Sequence, residues 1–286
     1  QTQTWGEAGG MNIVVFSKNR AMQLDALLYS LKENLDGFEQ SNTTVIWAAV
    51  DQEYQAGYLK CQELYPNVIW RYQDHDGNFK GLTITAIDSS HESTMFLVDD
   101  IVFKEKFSLS DKEFLAINED RVLCLSLRLY PGITYCYPTR QNVQPPTLTP
   151  EGHWNWSGCE GDWGYPMSVD GHVFKTNLIK QVAEQLDYNN PNEFEGAMSH
   201  VARQLAGRFP EMVCYMDNSR LLNIPANRVQ DQVQNRVGDL ISPEMLNGKM
   251  IWGYQINTDL FRGYKNKAPH EELPYQFLIR KEANVK

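Results

Sequence analysis

The residues best placed to do chemistry are Asp99 and Asp100, which follow the apolar run Thr94–Val98. Two adjacent carboxylates repel each other, and both stay ionised cheaply only beside a cation. A hard divalent ion, Mn²⁺ or Mg²⁺, with diphosphate oxygens in its remaining positions would satisfy them. The alternative is an acidic turn that is solvated or caps a helix. An acid after a strand also occurs in phosphate-loop NTPases, but the GxxxxGK[ST] loop is absent. So are GxGxxG, GxSxG and HExxH, which weakens dehydrogenase, serine-hydrolase and zinc-protease readings.

The elements that must position this pair read clearly in the first hundred residues. Asn12–Phe16 is a β-branched run that breaks at Ser17-Lys18-Asn19-Arg20, after which Leu24, Leu27, Leu28, Leu31 and Leu35 mark one face of a helix ending at Gly37. Thr44–Val50 predicts a strand stopping at Asp51, Gln52–Leu64 a helix closed by Pro66, and Val68–Tyr72 a third strand. Lys80–Ser90 reads as a helix and Thr94–Val98 as the fourth strand. This β-α-β-α-β-α-β order predicts an α/β fold with a mainly parallel central sheet flanked by helices. In such sheets ligands bind beyond the carboxyl ends of the strands. That draws attention to Ser17, Arg20, Asp51, the 74–80 loop with Lys80, and Asp99 with Asp100.

The second half is less regular. Val122–Leu129 and Thr134–Tyr137 read as strands, and 138–150, with four prolines, as an extended loop. Helices are expected over Leu178–Leu186 and Glu195–Ala206, the latter preceded by Asn189, Asn190, Pro191 and Asn192. No repeat or flexible linker is visible. The simplest organisation is one domain over 11–286, with a regular first half (11–110), a less regular second half (120–225) and a C-terminal extension (226–286). Residues 1–10 read as an expression scar or trimmed leader.

Composition bounds the function. The 286 residues are 42% hydrophobic and 22% charged, as in an ordinary globular protein. A net charge of −10 argues against general nucleic-acid binding, which needs clustered cations. The five cysteines form no CxxC pair, and their odd number fits a reducing compartment. No apolar run approaches the roughly 20 residues needed to cross a bilayer. The expectation is a cytoplasmic protein, at most peripheral at the inner face of a membrane.

The stretch Val14-Val15-Phe16-Ser17-Lys18-Asn19-Arg20, with Leu24 and Leu28-Tyr29-Ser30-Leu31, resembles the opening of a GT-A-fold glycosyltransferase. Phe96-Leu97-Val98-Asp99-Asp100-Ile101 resembles the DXD element of those enzymes, here with only its last two positions acidic. The likeness covers about 11–110 well and the rest loosely, and points to a bacterial-type branch resembling the inverting family-two enzymes. Ser126-Leu127-Arg128-Leu129 and Asp170-Gly171-His172 are similar to stretches in bacterial relatives. The resemblance implies a metal-assisted transferase of polysaccharide biosynthesis. Its donor would be a nucleotide-diphosphate sugar, UDP foremost, and its acceptor a glycan or glycolipid. It implies donor contacts from Phe16, Ser17, Arg20, Asp51, Lys80 and Asp99, and metal ligation by Asp100 with Asp99.

The run Gly161–Phe174 is dense in glycines, aromatics and acids, and aromatic faces stack on sugar rings. Trp163, Tyr165 and His172 are its acceptor candidates, with Trp163 equally readable as core. His172 is also a candidate third metal ligand, with His270 competing; the spacing of His153, Cys159 and His172 does not match structural zinc. For the base that deprotonates the acceptor, the resemblance implies an acid at a helix start. Glu195 is the choice by spacing, with Asp170 and Glu193 as rivals; carboxylates favouring the helix dipole are the alternative explanation. A retaining mechanism, a nucleotidyl enzyme on the same fold and an inert sugar- or nucleotide-binding module remain alternatives.

Overall fold

The computed structural model describes residues 10–227 and 241–281, so residues 1–9 of the leader reading and parts of the expected C-terminal extension lie outside the described residues. Eight strands form the central sheet: β1 (Asn12–Lys18), β2 (Asn42–Ala48), β3 (Ile69–Tyr72), β4 (Ser93–Val98), β5 (Val122–Ser126), β6 (His153–Asn155), β7 (His172–Lys175) and β8 (Glu211–Cys214). Their spatial order is β6-β8-β5-β7-β4-β1-β2-β3. Strands β3, β2, β1 and β4 are mutually parallel, as the first-half pattern predicts. Strand β7 is inserted antiparallel between β4 and β5, and β6 is antiparallel on β8. The sheet is therefore mainly parallel, and the fold is of the α/β class expected.

Helices α1 (Ala21–Asn34), α2 (Gln52–Leu64), α3 (Phe79–Ala86), α4 (Lys112–Ala116), α5 (Thr176–Gln185), α6 (Pro191–Leu205) and α7 (Pro243–Ile251) complete the frame. Strand periodicity divides the core by sheet face. Ile13, Val15, Val45, Met95 and Leu97 pack with the leucines of α1, with Tyr58 of α2 and with Leu246 of α7. Val14, Phe16, Ile46, Phe96 and Phe174 pack with Phe79, Ile179, Phe194 and Met198 of α3, α5 and α6. Strands buried on both faces need continuous apolar runs, which is why the first-half strands stand out in the sequence.

Some boundaries move for local reasons. Strand β5 stops at Ser126 because Leu127 N–H turns to Gly171 O (2.9 Å) and Leu129 N–H to Ser126 Oγ (3.2 Å). Helix α6 begins at Pro191 rather than Glu195, because Asn190 Oδ1 accepts from Glu193 N–H at 2.9 Å and Pro fits the first helical position. Helix α7 docks on α2, with Asn247 Nδ2 donating to Glu53 O (2.9 Å). Among the described residues no helix is long and apolar enough to cross a membrane. All five cysteines are free thiols.

A two-stranded ribbon, Ile101–Phe103 against Leu221–Asn223, leads away from Asp100. At its far end the buried Lys104 donates to Asn218 Oδ1 and Ser219 O, both at 2.8 Å. Burial pushes its amine down to about 7 from 10.5. Between these values the unfolded chain holds a proton that the folded chain lacks, so stability rises with pH. Below about 7 both states are protonated and the burial penalty is present in full. The urea midpoint of the wild type should therefore climb from pH 7 to pH 9 relative to Lys104→Met; parallel pH profiles would contradict this.

Candidate active site

The turn after β1 puts Asn19 in the left-handed region (φ 55°), which Asn tolerates, and its Oδ1 accepts from Val50 N–H at 3.0 Å. Arg20 is thereby delivered to the mouth of α1, with its own N–H donating to Tyr58 Oη at 3.1 Å. Its Nη1 lies 3.1 Å from Asp99 Oδ1 and 3.4 Å from Asp100 Oδ2. The rest of the guanidinium is held by Asn227: Nε donates to Oδ1 (3.0 Å) and Nη2 to the carbonyl oxygen. Asp99 Oδ2 also accepts from Ser17 Oγ (2.9 Å) and Lys18 N–H (3.1 Å). Both oxygens of Asp99 are thus engaged.

Asp100 is differently placed. Asn223 Nδ2 donates to its Oδ1 at 2.7 Å and to Asp170 Oδ1 at 3.0 Å, so one amide bridges two carboxylates. Asn223 is set there by backbone ladders: Ile224 N–H donates to Asp100 O and Asn223 N–H to Pro269 O, both at 2.9 Å. The second ladder brings in His270, whose Nε2 lies 3.1 Å from Asp170 Oδ2. Burial lifts the Asp100 carboxyl to about 6 despite Arg20, with Asp99 and Asp170 adding to the rise.

Asp170 sits at the end of a loop that buried charges tie down. Arg128 Nη1 is 3.3 Å from Asp170 Oδ2, and Nη2 is 3.3 Å from Asp162 Oδ1 at the other end of that loop. Burial alone would raise the Asp170 carboxyl, but His270, Arg128 and Asn223 outweigh it and hold it well below the carboxylate range. Glu195, at the start of α6, accepts from Tyr165 Oη (3.2 Å), Ser168 Oγ (3.2 Å) and Val169 N–H (2.9 Å). Burial raises its carboxyl above the ordinary value.

The structure gathers Ser17, Arg20, Asp99, Asp100 and Asp170, and sets Glu195 against the loop that ends at Asp170. It does not gather the others. Phe16 is core, stacked 6.0 Å from Phe96. Asp51 caps α2, accepting from Tyr54 N–H at 2.9 Å. The Lys80 amine lies 3.8 Å from Asp187. Glu193, in the first turn of α6, accepts from Asn189 N–H just ahead of the cap at 2.7 Å. Trp163 is fully buried and donates to Ile133 O at 3.2 Å, so its ring offers no face to a sugar. His172 spends both ring nitrogens: Nδ1 donates to Pro166 O (2.8 Å) and Nε2 accepts from Arg128 Nε (3.3 Å). Burial and Arg128 push it down to about 3, so it stays neutral and has no lone pair for a metal.

The sequence offered little warning of Arg128, Asn223 and Asn227. Arg128 entered only within the stretch Ser126-Leu127-Arg128-Leu129, without a role of its own, and the two asparagines lie on a polar run with no motif. Among the described residues no group of three or more His, Cys, Asp and Glu side chains is arranged to hold a metal. A smaller donor set does suit one. His270 Nδ1 is buried without a hydrogen-bond partner while Nε2 faces Asp170, the arrangement that orients an imidazole toward a cation. Asp100 and His270 would hold the ion, leaving its other positions to diphosphate and water oxygens.

No family model matches the chain. Over 261 residues it is 25% identical to the bifunctional glycosyltransferase pgtA of Dictyostelium discoideum, covering 80% of this chain and 34% of that protein. The chain is related to a glycosyltransferase. It spans about a third of the length of that relative. Among solved structures it is similar to S. aureus TarS 1-349 in complex with UDP-GlcNAc (TM-score 0.47, 15% identity, 77% of this chain and 60% of that one). It is also similar to the mannosyltransferase PcManGT from Pyrobaculum calidifontis in complex with GDP-Man and Mn²⁺ (TM-score 0.40, 11% identity, 76% and 59%).

Two substitutions separate the ionic frame from the surface. Arg128→Ala leaves the buried Asp162 without its cation and Asp170 with His270 alone, and should cost about 3–5 kcal/mol in urea unfolding. Glu193→Ala removes only an exposed acceptor beside the cap and should cost about 1 kcal/mol or less. Equal costs would contradict the assignment.

Proposed function

We propose that this chain transfers a sugar from a nucleoside-diphosphate donor to a hydroxyl of a glycan or glycolipid acceptor, with divalent-metal assistance and inversion at the anomeric carbon. The observation that carries the reading is the buried pair Asp99–Asp100 at the carboxyl end of β4, bridged by Asn223 to Asp170 and His270. Its relation to pgtA supports the same class. We infer a cytoplasmic setting from the five free thiols.

Each group then has a task. Asp100 and His270 would hold the metal, which when bound would supply Lewis-acid stabilisation to a leaving diphosphate. Asp99, locked by Ser17, Lys18 and Arg20, fixes the position of Asp100. Asp170 orients the His270 ring through Nε2. Its depressed proton affinity makes it a poor base and a good counter-charge. Glu195, with raised proton affinity, is the better proton acceptor for the attacking hydroxyl. Its hydrogen bonds with Tyr165, Ser168 and Val169 also fix the loop that would face the acceptor.

A thermal-shift panel of UDP, GDP, dTDP, CDP and CMP, each with and without Mn²⁺, tests the donor site. One nucleoside diphosphate should raise the melting temperature in the presence of Mn²⁺, corresponding to about 2.7 kcal/mol at a hundredfold excess over Kd. Asp100→Asn should abolish that shift, and no shift with any nucleotide at millimolar concentration would overturn the reading. With the donor identified, Glu195→Gln should lower kcat by about 10²-fold or more while leaving donor binding intact. The low-pH limb of the wild-type kcat profile should vanish in that variant, and an unchanged profile would remove Glu195 as the base.

A further inference from the structure

The geometry points to Arg20 as the resident counter-ion of the carboxylate pair: it holds the place of a divalent cation and gives it up only when metal and nucleoside diphosphate arrive together. The inference rests on the metal-site reading above and adds an order to it. One guanidinium nitrogen, Nη1, touches both Asp99 and Asp100. The Arg20 side chain is only 10% accessible, so its charge is spent almost entirely on these two groups and Asn227.

This placement sets metal and arginine in competition. Among the described residues, the cationic side chains paired with Asp99, Asp100, Asp162 and Asp170 are Arg20, Arg128 and the His270 imidazole. A dication approaching Asp100 lowers the local negative charge but must sit beside the Arg20 guanidinium, and like charges at this distance oppose each other. A diphosphate resolves the conflict. Its oxygens ligate the metal and offer Arg20 a new acceptor in place of Asp100, and a guanidinium suits phosphate oxygens well. Metal and nucleotide therefore strengthen each other through Arg20 as well as through direct contact. By linkage the effect is reciprocal.

Mn²⁺ binding is followed by the electron paramagnetic resonance signal of the free ion, in the full chain, with and without UDP or GDP. The proteins are wild type, Arg20→Gln, Arg20→Lys, Asp100→Asn and the double variant Arg20→Gln/Asp100→Asn. Wild type and Arg20→Lys should bind Mn²⁺ alone weakly. Arg20→Gln should bind it about tenfold more tightly, while the gain that nucleotide adds becomes smaller than in wild type. The double variant should lose the increase, which locates it at Asp100. Circular dichroism and the melting temperature establish that each variant is folded, and Arg20→Lys tests the charge if Arg20→Gln is not. Equal Mn²⁺ affinity in wild type and Arg20→Gln, with nucleotide still recruiting metal, overturns this inference alone. No Mn²⁺ binding by any protein, with or without nucleotide, overturns the metal-site reading and this inference together.

Discussion

The structure depends on keeping like charges buried next to one another. Asp99 and Asp100 follow a strand whose middle residues, Thr94–Leu97, are sealed in the core, so water does little to dilute their repulsion. The chain answers with one guanidinium, one amide and a set of backbone donors. Every segment that approaches the pair brings part of that answer: Ser17 and Lys18 from β1, Arg20 from the mouth of α1, and Asn223 from the ribbon. Asn227 holds the far side of Arg20. The fold around the site is largely the means of assembling these donors.

A second ionic knot lies beside the first. Arg128, on the turn after β5, is buried between Asp162 and Asp170 and also donates to the neutral His172. This knot closes a loop at both ends, and Glu195 pins its middle. The two knots meet at Asn223, whose single Nδ2 serves Asp100 and Asp170 together. The shared amide makes the relative placement of the two knots a property of the core.

The first half of the fold is legible because its three inner parallel strands are buried on both faces and α1 carries a leucine face, both strongly patterned. Gln52–Leu64 is a helix over the expected residues, since Asp51 caps it and its sequence is uninterrupted. The second half is harder to read because its strands are only three to five residues long and gain stability from partners distant in sequence. Strand β8 and the ribbon strand Leu221–Asn223 carry no periodicity long enough to register. The site divides the same way. Asp99, Asp100 and Arg20 announce themselves as charges next to buried elements. Asn223 and His270 act through backbone ladders that no local pattern encodes, and Trp163, conspicuous by type, turned inward because its indole N–H found Ile133 O.

Strand β7 adds a constraint of a different kind. Gly171, immediately before it, donates to Phe96 O and accepts from Leu127 N–H, and His172 stands in register with Phe96 of β4 and Ser126 of β5. Asp170 is thus one residue from a hydrogen-bonded ladder whose neighbour ends in Asp99 and Asp100. Adjacent strands keep a spacing of about 4.8 Å. The sheet acts as a ruler between the two carboxylate groups, and lengthening a surface loop cannot reset it. The separation between Asp170 and the Asp99–Asp100 pair is therefore set by backbone geometry rather than by any side chain.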